Sequence, residues 1–455
     1  MAEEREDILQ GGWNTDNGYE TYPQWLKDRL NWASDMKFGL FVHWGIYSQW
    51  GCIESWPLVA EDTWARPDDL PAWKERGYDL ERFRRDYWDL NKTFNPRDFN
   101  PEQWADAAKY AGMKYVAFTT KHHDGFCMWD TKTTDYKVTG PDCPFHTNPR
   151  ADVVRTVWDV FRAREFAIWC YFSKSDDHSP YYWDPARPAP DRNPNYDTLA
   201  EPERWAKFQQ YAYDQIEELL SQYGPVDSLW LDGGQVRPPL QDIHMDRIAE
   251  MGRRHQPGLI VADRTVGGVN ENLLTPEQLI PDRPLGVPWE SCLTMGEGWS
   301  YRPDDTYKPT RTLIHMLIDI VAKGGNFLLN VGPSPQGQFP PEALERLEQI
   351  GDWMAVNGEA IYGTRPVAPY KERNICFTHK GDHAYAIILA AEGERDLPRQ
   401  VHLRGLRPAL GTPVYLLGRK PQLAWRPEGE DAQIDLPGGH PPCAHAWVLK
   451  FTPPS

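Results

Sequence analysis

The chain has 455 residues, of which 40% are hydrophobic and 25% are charged, the composition of an ordinary globular protein. Its 49 basic and 66 acidic side chains give a net charge of −17, which opposes binding to nucleic acids and to anionic lipid surfaces. We therefore expect neither nucleic acid nor a membrane among its partners. The length exceeds what one hydrophobic core usually serves, and it predicts two domains.

The counts of individual residue types narrow the possible class of protein further. The 21 tryptophans and 21 tyrosines form a high aromatic content that serves either sugar stacking or core filling. The seven cysteines include no CxxC pair, so neither a disulfide framework nor a zinc knuckle is indicated. Residues 1–7 are acidic and lack an apolar run, which predicts a cytoplasmic protein. A secreted protein whose signal peptide had been removed would leave the same sequence.

Apolar runs separated by helical segments occupy roughly the first 360 residues. The runs do not alternate with polar residues, which is typical of parallel strands buried on both faces. The predicted strands are 38–44, 114–120, 166–173, 226–232, 259–263, 287–290 and 327–331. The predicted helices are 101–111, 151–164, 202–223, 240–255, 310–323 and 341–357. This repeat predicts an α/β fold, a (β/α)8-like barrel of the TIM type in regular or irregular form, with a doubly wound open sheet as the alternative.

The sequence changes character after Pro366. Short segments separated by glycine, proline and charged turns predict a C-terminal antiparallel β-sandwich. These segments are 375–379, 383–390, 400–403, 413–417, 433–436 and 444–451. We place the boundary near residue 363, with a barrel domain at 1–363 and a sandwich domain at 364–455. The proline-rich stretch 180–202 predicts a long loop over the mouth of the barrel.

Polar side chains follow the predicted strands, at the carboxyl ends where parallel barrels carry their catalytic residues. These side chains are His43, His122, His123, Tyr171, Asp232, Arg264 and Glu290. Each of them alone would more often be structural. Their coincidence at one end of one architecture indicates an active site.

Asp232 is the strongest catalytic candidate. Gly233 and Gly234 follow it, so the backbone can turn sharply and leave the carboxylate facing a pocket. We expect this carboxylate to be ionised, accessible and free of a competing salt bridge, as a nucleophile requires. The structural alternative is an ordinary Asp-Gly-Gly turn.

A nucleophilic carboxylate is typical of retaining glycosidases. Such an enzyme requires a second carboxylic acid about 5–5.5 Å from the nucleophile. Glu277 lies in a loop after the fifth predicted strand, and Glu290 lies at the end of the sixth. Spacing alone leaves both open as the acid/base. Glu277 could instead begin a helix, and Glu290 could instead orient other pocket residues.

Histidine and tryptophan side chains complete the candidate site. The histidines can donate to and accept from sugar hydroxyls, whereas indole rings can stack on sugar faces. The tryptophans considered for stacking are Trp44, Trp56 and Trp230. A metal site formed by His43, His122, His123 and Asp232 is an alternative, but no HExxH or comparable spacing supports it, so we expect no metal.

Four motifs in chain order resemble those of glycoside hydrolase family 29, the retaining α-L-fucosidases. They are KFGLFVHWG at 37–45, KHHDGF at 121–126, WLDGG at 230–234 and LLNVGP at 328–333. The resemblance covers roughly residues 20–365. It implies a catalytic barrel followed by a β-sandwich, with Asp232 as the nucleophile.

The resemblance also implies roles for other residues. The substrate contacts that it implies are His43, Trp56, His122, His123, Tyr171 and Arg264. Further candidate substrate contacts are Glu54, Trp230 and Glu290. The segment 275–278 resembles the acid/base segment of the branch that removes α-1,3/1,4-linked fucose, which favours Glu277 over Glu290. The segment 172–179 resembles the same branch, except that Asp177 stands where a tryptophan is expected.

The expected function is hydrolysis of terminal α-L-fucosyl linkages, of the α-1,3/1,4 type, in oligosaccharides or glycoconjugates. The reaction would proceed with retention through a fucosyl-Asp232 intermediate, without metal or organic cofactor. Two other hypotheses are an inactive fucose-binding protein on the same fold and a glycosidase for another sugar such as an α-galactoside. The sequence indicates neither the natural glycan nor the oligomeric state.

Overall fold

A computed structural model describes residues 17–454 of the chain. The acidic segment 1–7, on which the prediction of compartment depends, lies outside the described residues. All seven cysteines are free thiols. Between residues 17 and 454 we find no helix whose length and apolar character suit a membrane crossing.

A curled parallel sheet forms the centre of the larger part of the molecule. Its strands run in the order β5-β4-β3-β2-β1-β7-β6. They are β1 (Phe38–Val42), β2 (Tyr115–Thr119), β3 (Ala167–Ser173), β4 (Ser228–Asp232), β5 (Ile260–Asp263), β6 (Glu290–Thr294) and β7 (Asn326–Val331). All are buried almost throughout, which explains why their sequences do not alternate.

An irregular segment completes the barrel between β5 and β6. Glu271 bridges to β5, whereas Leu274 and Glu277 bridge to the chain around β6. Seven strands and one irregular segment therefore close the ring. This arrangement confirms the predicted (β/α)8-like barrel in its irregular form, and the open doubly wound sheet is not observed.

Nine α-helices accompany these strands in the described residues. They are α1 (Gln24–Met36), α2 (Pro71–Glu75), α3 (Leu80–Trp88), α4 (Pro101–Tyr110), α5 (Val153–Arg162), α6 (Pro202–Gln222), α7 (Met245–His255), α8 (Thr310–Ala322) and α9 (Pro341–Asn357). The Asn100 side chain caps α4 by accepting from the Gln103 N–H at 3.1 Å. The sequence did not predict α1. Its residues Leu26, Leu30 and Ala33 pack into the barrel interior and close the end where the strands begin, which is called the lower end below.

The predicted strand 287–290 was wrong in position. The structure places β6 at Glu290–Thr294, so Glu290 begins the strand instead of ending it. The apolar residues Val287 and Trp289 suggested a strand, whereas the true strand carries Ser, Cys and Thr, which are short enough to fit inside the barrel. Glu290 therefore lies at the end of the barrel opposite to the carboxyl ends of the strands.

Two antiparallel sheets follow the barrel. The six-stranded sheet contains β8 (Arg365–Glu372), β9 (Ile375–Lys380), β10 (His383–Leu389), β12 (Val414–Leu416), β13 (Gln422–Leu423) and β16 (Ala446–Phe451). The three-stranded sheet contains β11 (Gln400–Leu403), β14 (Trp425–Glu428) and β15 (Asp431–Asp435). One face of the larger sheet packs on the smaller sheet, which confirms the predicted sandwich. Its other face, with Tyr385 and Ile387, joins the barrel core. The division of the chain at residue 363 stays a prediction.

Candidate active site

The carboxyl ends of β1, β3, β4 and β5 bring the polar side chains of the candidate site together. Asp232 ends β4 and is the register partner of Ser173 at the end of β3. Arg264 directly follows β5, and His43 directly follows β1. Because parallel strands end at one edge of the sheet, residues far apart in sequence meet around a single pocket.

The Asp232 carboxylate accepts hydrogen bonds on both oxygens. Its Oδ1 accepts from Arg264 Nη1 at 2.8 Å and from the Gly233 N–H at 2.9 Å. Its Oδ2 accepts from the Tyr171 hydroxyl at 2.7 Å and lies 3.7 Å from His123 Nε2. The expectation that Asp232 has no salt bridge was wrong, because the neighbouring strand supplies a guanidinium that the sequence spacing did not reveal.

Arg264 fixes the charge of Asp232. Burial alone would raise the pKa of Asp232, but the Arg264 charge, helped by the two histidines and the Tyr171 hydroxyl, holds the pKa well below its usual range. Burial lowers the pKa of His123 to about 4, so this ring is neutral at pH 7. Arg264 is therefore the full positive charge that keeps the carboxylate ionised.

The same guanidinium also holds the second carboxylate. Arg264 Nη2 donates to Glu277 Oε2 at 2.7 Å, and Arg264 Nε donates to Thr275 Oγ1 at 2.9 Å. The guanidinium lies 4.4 Å from the ring centre of Trp230, which supports it from below. The Glu277 side chain is 48% exposed and Asp232 is 20% exposed, so both carboxylates border open space.

His43 presents an acceptor nitrogen to the pocket. The Nδ2 of Asn330 donates to the Trp299 carbonyl at 2.6 Å, so the Oδ1 of Asn330 faces His43 Nδ1, which lies 2.6 Å away. The proton of the neutral ring must then lie on Nδ1, which leaves a lone pair on Nε2. Burial lowers the pKa of His43 to about 4, so this state persists at neutral pH.

His122 and His123 stand side by side beneath Trp56. His122 Nδ1 lies 2.7 Å from Ser55 Oγ, and the ring of His123 lies 4.7 Å from that of Trp56. Ligand atoms of His122, His123 and Asp232 lie within 4.8 Å of one another, which is close enough for a metal ion. A cation there would face the Arg264 charge and compete for carboxylate oxygens that already accept three hydrogen bonds.

Glu54 adds a third carboxyl group to the pocket wall. It is fully buried, and its Oε1 accepts from the Ser300 N–H at 2.6 Å. Its Oε2 has no hydrogen-bond partner within the part of the chain that the structure describes. Burial raises the pKa of Glu54 to about 8, so at pH 7 the group is protonated and can donate to a sugar hydroxyl.

Trp299 belongs to the same pocket, although sequence reasoning missed it. Its ring lies 5.1 Å from that of His43 and 5.9 Å from that of Phe41. The residue lies in the irregular chain after β6, and the misplaced sixth strand hid this position. Its only signal in the sequence is that it follows a barrel strand.

Three predicted site residues do not lie at the wall of the pocket beside Asp232. Trp44 packs outside the barrel against Phe99 and Trp104. Trp230 is fully buried and forms the floor below Arg264. Glu290 is fully buried lower in the barrel, where its Oε1 accepts from Trp230 Nε1 at 3.3 Å. The structure thus brings Glu277, and not Glu290, to Asp232.

We predict that Glu290→Gln makes the protein more stable at alkaline pH. Burial raises the pKa of Glu290 from near 4.5 to about 7, so the folded state favours the neutral acid. The wild type therefore loses stability as the pH rises from about 4.5 to about 7, by an amount on the order of 3 kcal/mol. Glutamine keeps the acceptor for Trp230 and carries no charge. Denaturant unfolding at pH 5 and pH 8.5 should show a variant advantage only at pH 8.5, and equal curves at both pH values would contradict the assignment.

A pocket in which two carboxylates face open space suits hydrolysis of a glycosidic bond, and the class that this fold and site define is a barrel glycoside hydrolase. Residues 10–359 match the sequence model of the alpha-L-fucosidase family. Because that match spans well over half of its length, the chain belongs to the α-L-fucosidase family.

Individual relatives agree with this assignment. The tissue α-L-fucosidase of Bos taurus is 31% identical over 452 residues, which cover 92% of this chain and 88% of the relative. The structure of α-L-fucosidase isoenzyme 1 from Paenibacillus thiaminolyticus matches with a TM-score of 0.77 and 29% identity, over 95% of this chain and 100% of that one. The α-fucosidase of Thermotoga maritima, solved in complex with fucose, matches with a TM-score of 0.73 and 28% identity, over 93% and 96% of the two chains.

Proposed function

We propose that this enzyme hydrolyses terminal α-1,3- and α-1,4-linked L-fucosyl groups with net retention, using Asp232 as nucleophile and Glu277 as acid/base. The observation that carries the proposal is the single Arg264 guanidinium shared by the two carboxylates. It holds both within reach of one anomeric carbon, so that they can flank the scissile bond as a double displacement requires.

In the first step an ionised oxygen of Asp232 bonds to the anomeric carbon while the glycosidic oxygen leaves with a proton from Glu277. Arg264 keeps Asp232 ionised for this attack. The contact between Glu277 and Arg264 must open when the glycosidic oxygen arrives, because an ion-paired carboxylate has no proton to give. In the second step Glu277 takes a proton from a water molecule whose oxygen bonds to the anomeric carbon, and the bond to Asp232 breaks to release the stabilised carboxylate.

The pocket offers a matched set of groups for the hydroxyls of the sugar. His43 supplies an acceptor at Nε2, whereas the neutral acid of Glu54 supplies a donor at Oε2. Trp299 supplies an apolar surface beside His43. A methyl group at C5 suits such a surface better than the hydroxymethyl group of galactose, which would need a hydrogen-bond partner.

One segment supports the α-1,3/1,4 preference. Glu277 lies in Thr275–Gln278, which resembles the acid/base segment of that branch, and it shares the Arg264 guanidinium with Asp232. Asp177, the departure from the branch pattern, is buried, and its N–H donates to the His123 carbonyl at 2.7 Å. Asp177 therefore fixes the backbone at His123 and takes no part in the contacts of Asp232 and Glu277 with Arg264.

Trapping with a slow substrate tests the mechanism. A 2-deoxy-2-fluoro-fucosyl fluoride should inactivate the enzyme, and peptide mapping should find one fucosyl label, on Asp232. Proton NMR of an ordinary digest should show the α-anomer of fucose first. A label on another residue, or the β-anomer first, would refute the assignment.

A panel of defined trisaccharides tests the linkage separately. Substrates with α-1,3- or α-1,4-linked fucose should be cleaved at least tenfold faster than α-1,2- or α-1,6-linked ones at equal concentration. Faster cleavage of an α-1,2 substrate would remove the branch assignment and leave the reaction intact. No release of fucose from any substrate would leave the two other hypotheses, a fucose-binding protein and a glycosidase for another sugar.

A further inference from the structure

A continuous series of aromatic rings leads from the nucleophile to the surface. His123 Nε2 lies 3.7 Å from Asp232, and its ring lies 4.7 Å from that of Trp56. The next ring is Trp64, 6.4 Å from Trp56, and it is 51% exposed. The mechanism gives no task to Trp64, whose large indole ring stands half exposed at the end of this series.

Trp64 is held in one orientation although it is exposed. Its Nε1 donates to Asp62 Oδ1 at 3.0 Å. Asp62 in turn accepts two hydrogen bonds from Arg192, each 2.8 Å long, and the Arg192 guanidinium lies 4.0 Å from the ring centre of Trp56. The edge of the indole is therefore fixed, and its exposed area remains available to a ligand.

The loop that carries Trp64 is also fixed to its surroundings. Arg66 donates to the carbonyls of Pro57, Val59 and Ala60 at 2.6–2.8 Å, which holds the chain between Trp56 and Trp64. The Glu61 N–H donates to the Pro190 carbonyl at 2.9 Å and joins this loop to the long loop 180–202. A preformed surface of this kind loses little entropy when it binds.

We infer that Trp64 is the stacking platform for the sugar unit linked to the fucose, which makes the Trp56–Trp64 loop a leaving-group subsite. The ligand class is a pyranose whose apolar ring face packs on the indole, as in a fucosylated disaccharide or trisaccharide. This inference rests on the proposed function, because it places the fucose beside Asp232. It adds that the enzyme recognises a glycan and not the fucosyl group alone.

Two substrates separate this subsite from the catalytic centre. A fucosylated trisaccharide fills both, whereas α-L-fucosyl fluoride has a one-atom leaving group that cannot reach Trp64. Trp64→Ala should lower kcat/KM for the trisaccharide about fivefold, mainly through KM, and change kcat/KM for the fluoride by less than twofold. Trp64→Phe keeps a ring and should recover most of the loss.

Trp25→Ala is the matched control, because Trp25 is also an exposed tryptophan, 40% accessible, but lies on α1 at the lower end of the barrel. It should leave both substrates unchanged. Equal losses on both substrates, no loss on the trisaccharide, or the same loss in Trp25→Ala would overturn the subsite. A wild type that cleaves neither substrate would instead refute the proposed function, so the two failures are distinguishable.

Discussion

Asp232→Ala should lower kcat by about 10⁴-fold or more while the fold remains intact. The variant loses the proposed nucleophilic oxygen, and no other described carboxylate both accepts from Tyr171 and faces His123. Hydrolysis of an aryl α-L-fucoside measures the loss. Azide should restore part of the turnover, and because azide would enter the space left by the carboxylate, the product should be the inverted β-fucosyl azide.

Two controls accompany this variant. Asp352→Ala removes an exposed carboxylate on α9, far from the pocket, and should keep the wild-type rate. Asp232→Asn keeps an acceptor for Tyr171 without a charge and should be nearly as slow as Asp232→Ala. An Asp232→Ala variant within tenfold of the wild type would falsify the assignment of the nucleophile.

Glu277→Ala should show a loss that depends on the leaving group. For a fucosylated sugar, whose oxygen leaves poorly without a proton, kcat/KM should fall about 10²–10⁴-fold. For an activated aryl fucoside the fall should be much smaller, because that oxygen leaves unaided. Azide should accelerate the second step and yield the α-fucosyl azide, with configuration retained, since it attacks the Asp232 ester.

Glu290→Gln is the informative comparison for Glu277. Its side chain contacts Trp230 at the lower end of the barrel, so it should respond to neither the leaving group nor azide. If Glu290→Gln showed the leaving-group dependence and Glu277→Ala did not, the acid/base assignment would be wrong.

The sequence predicted the frame of the barrel because its strands are buried on both faces. Runs such as those of β2 and β3 contain little but apolar residues, and this signal does not depend on the rest of the fold. The sixth strand lacked it, since Glu290–Thr294 contains one large apolar residue, Leu293, among Glu, Ser, Cys and Thr. Helix α1 was missed for a similar reason, as its apolar residues, of which Leu26, Leu30 and Ala33 are buried, are interspersed with polar ones and form no long apolar run.

The site was predictable only where a residue ends a strong strand. Asp232 and Arg264 follow β4 and β5, and both were recognised, but their ion pair depends on which strands are neighbours. The choice between Glu277 and Glu290 was open because the misplaced sixth strand put Glu290 at a carboxyl end, where catalytic residues are expected. Trp299 and Asn330 meet His43 through tertiary contacts that no local pattern encodes.

The irregular segment between β5 and β6 has a consequence for how such an enzyme can diverge. Asp232 belongs to a strand with a continuous ladder, and a slip of one residue there would turn every side chain to the opposite face. Glu277 is held by one isolated bridge and by its contacts with Arg264, so residues can be gained or lost around it while both flanking strands keep their pairing. The proposed proton donor therefore lies on a segment that can be rebuilt without disturbing the strand pairing, and new leaving-group preferences can arise there.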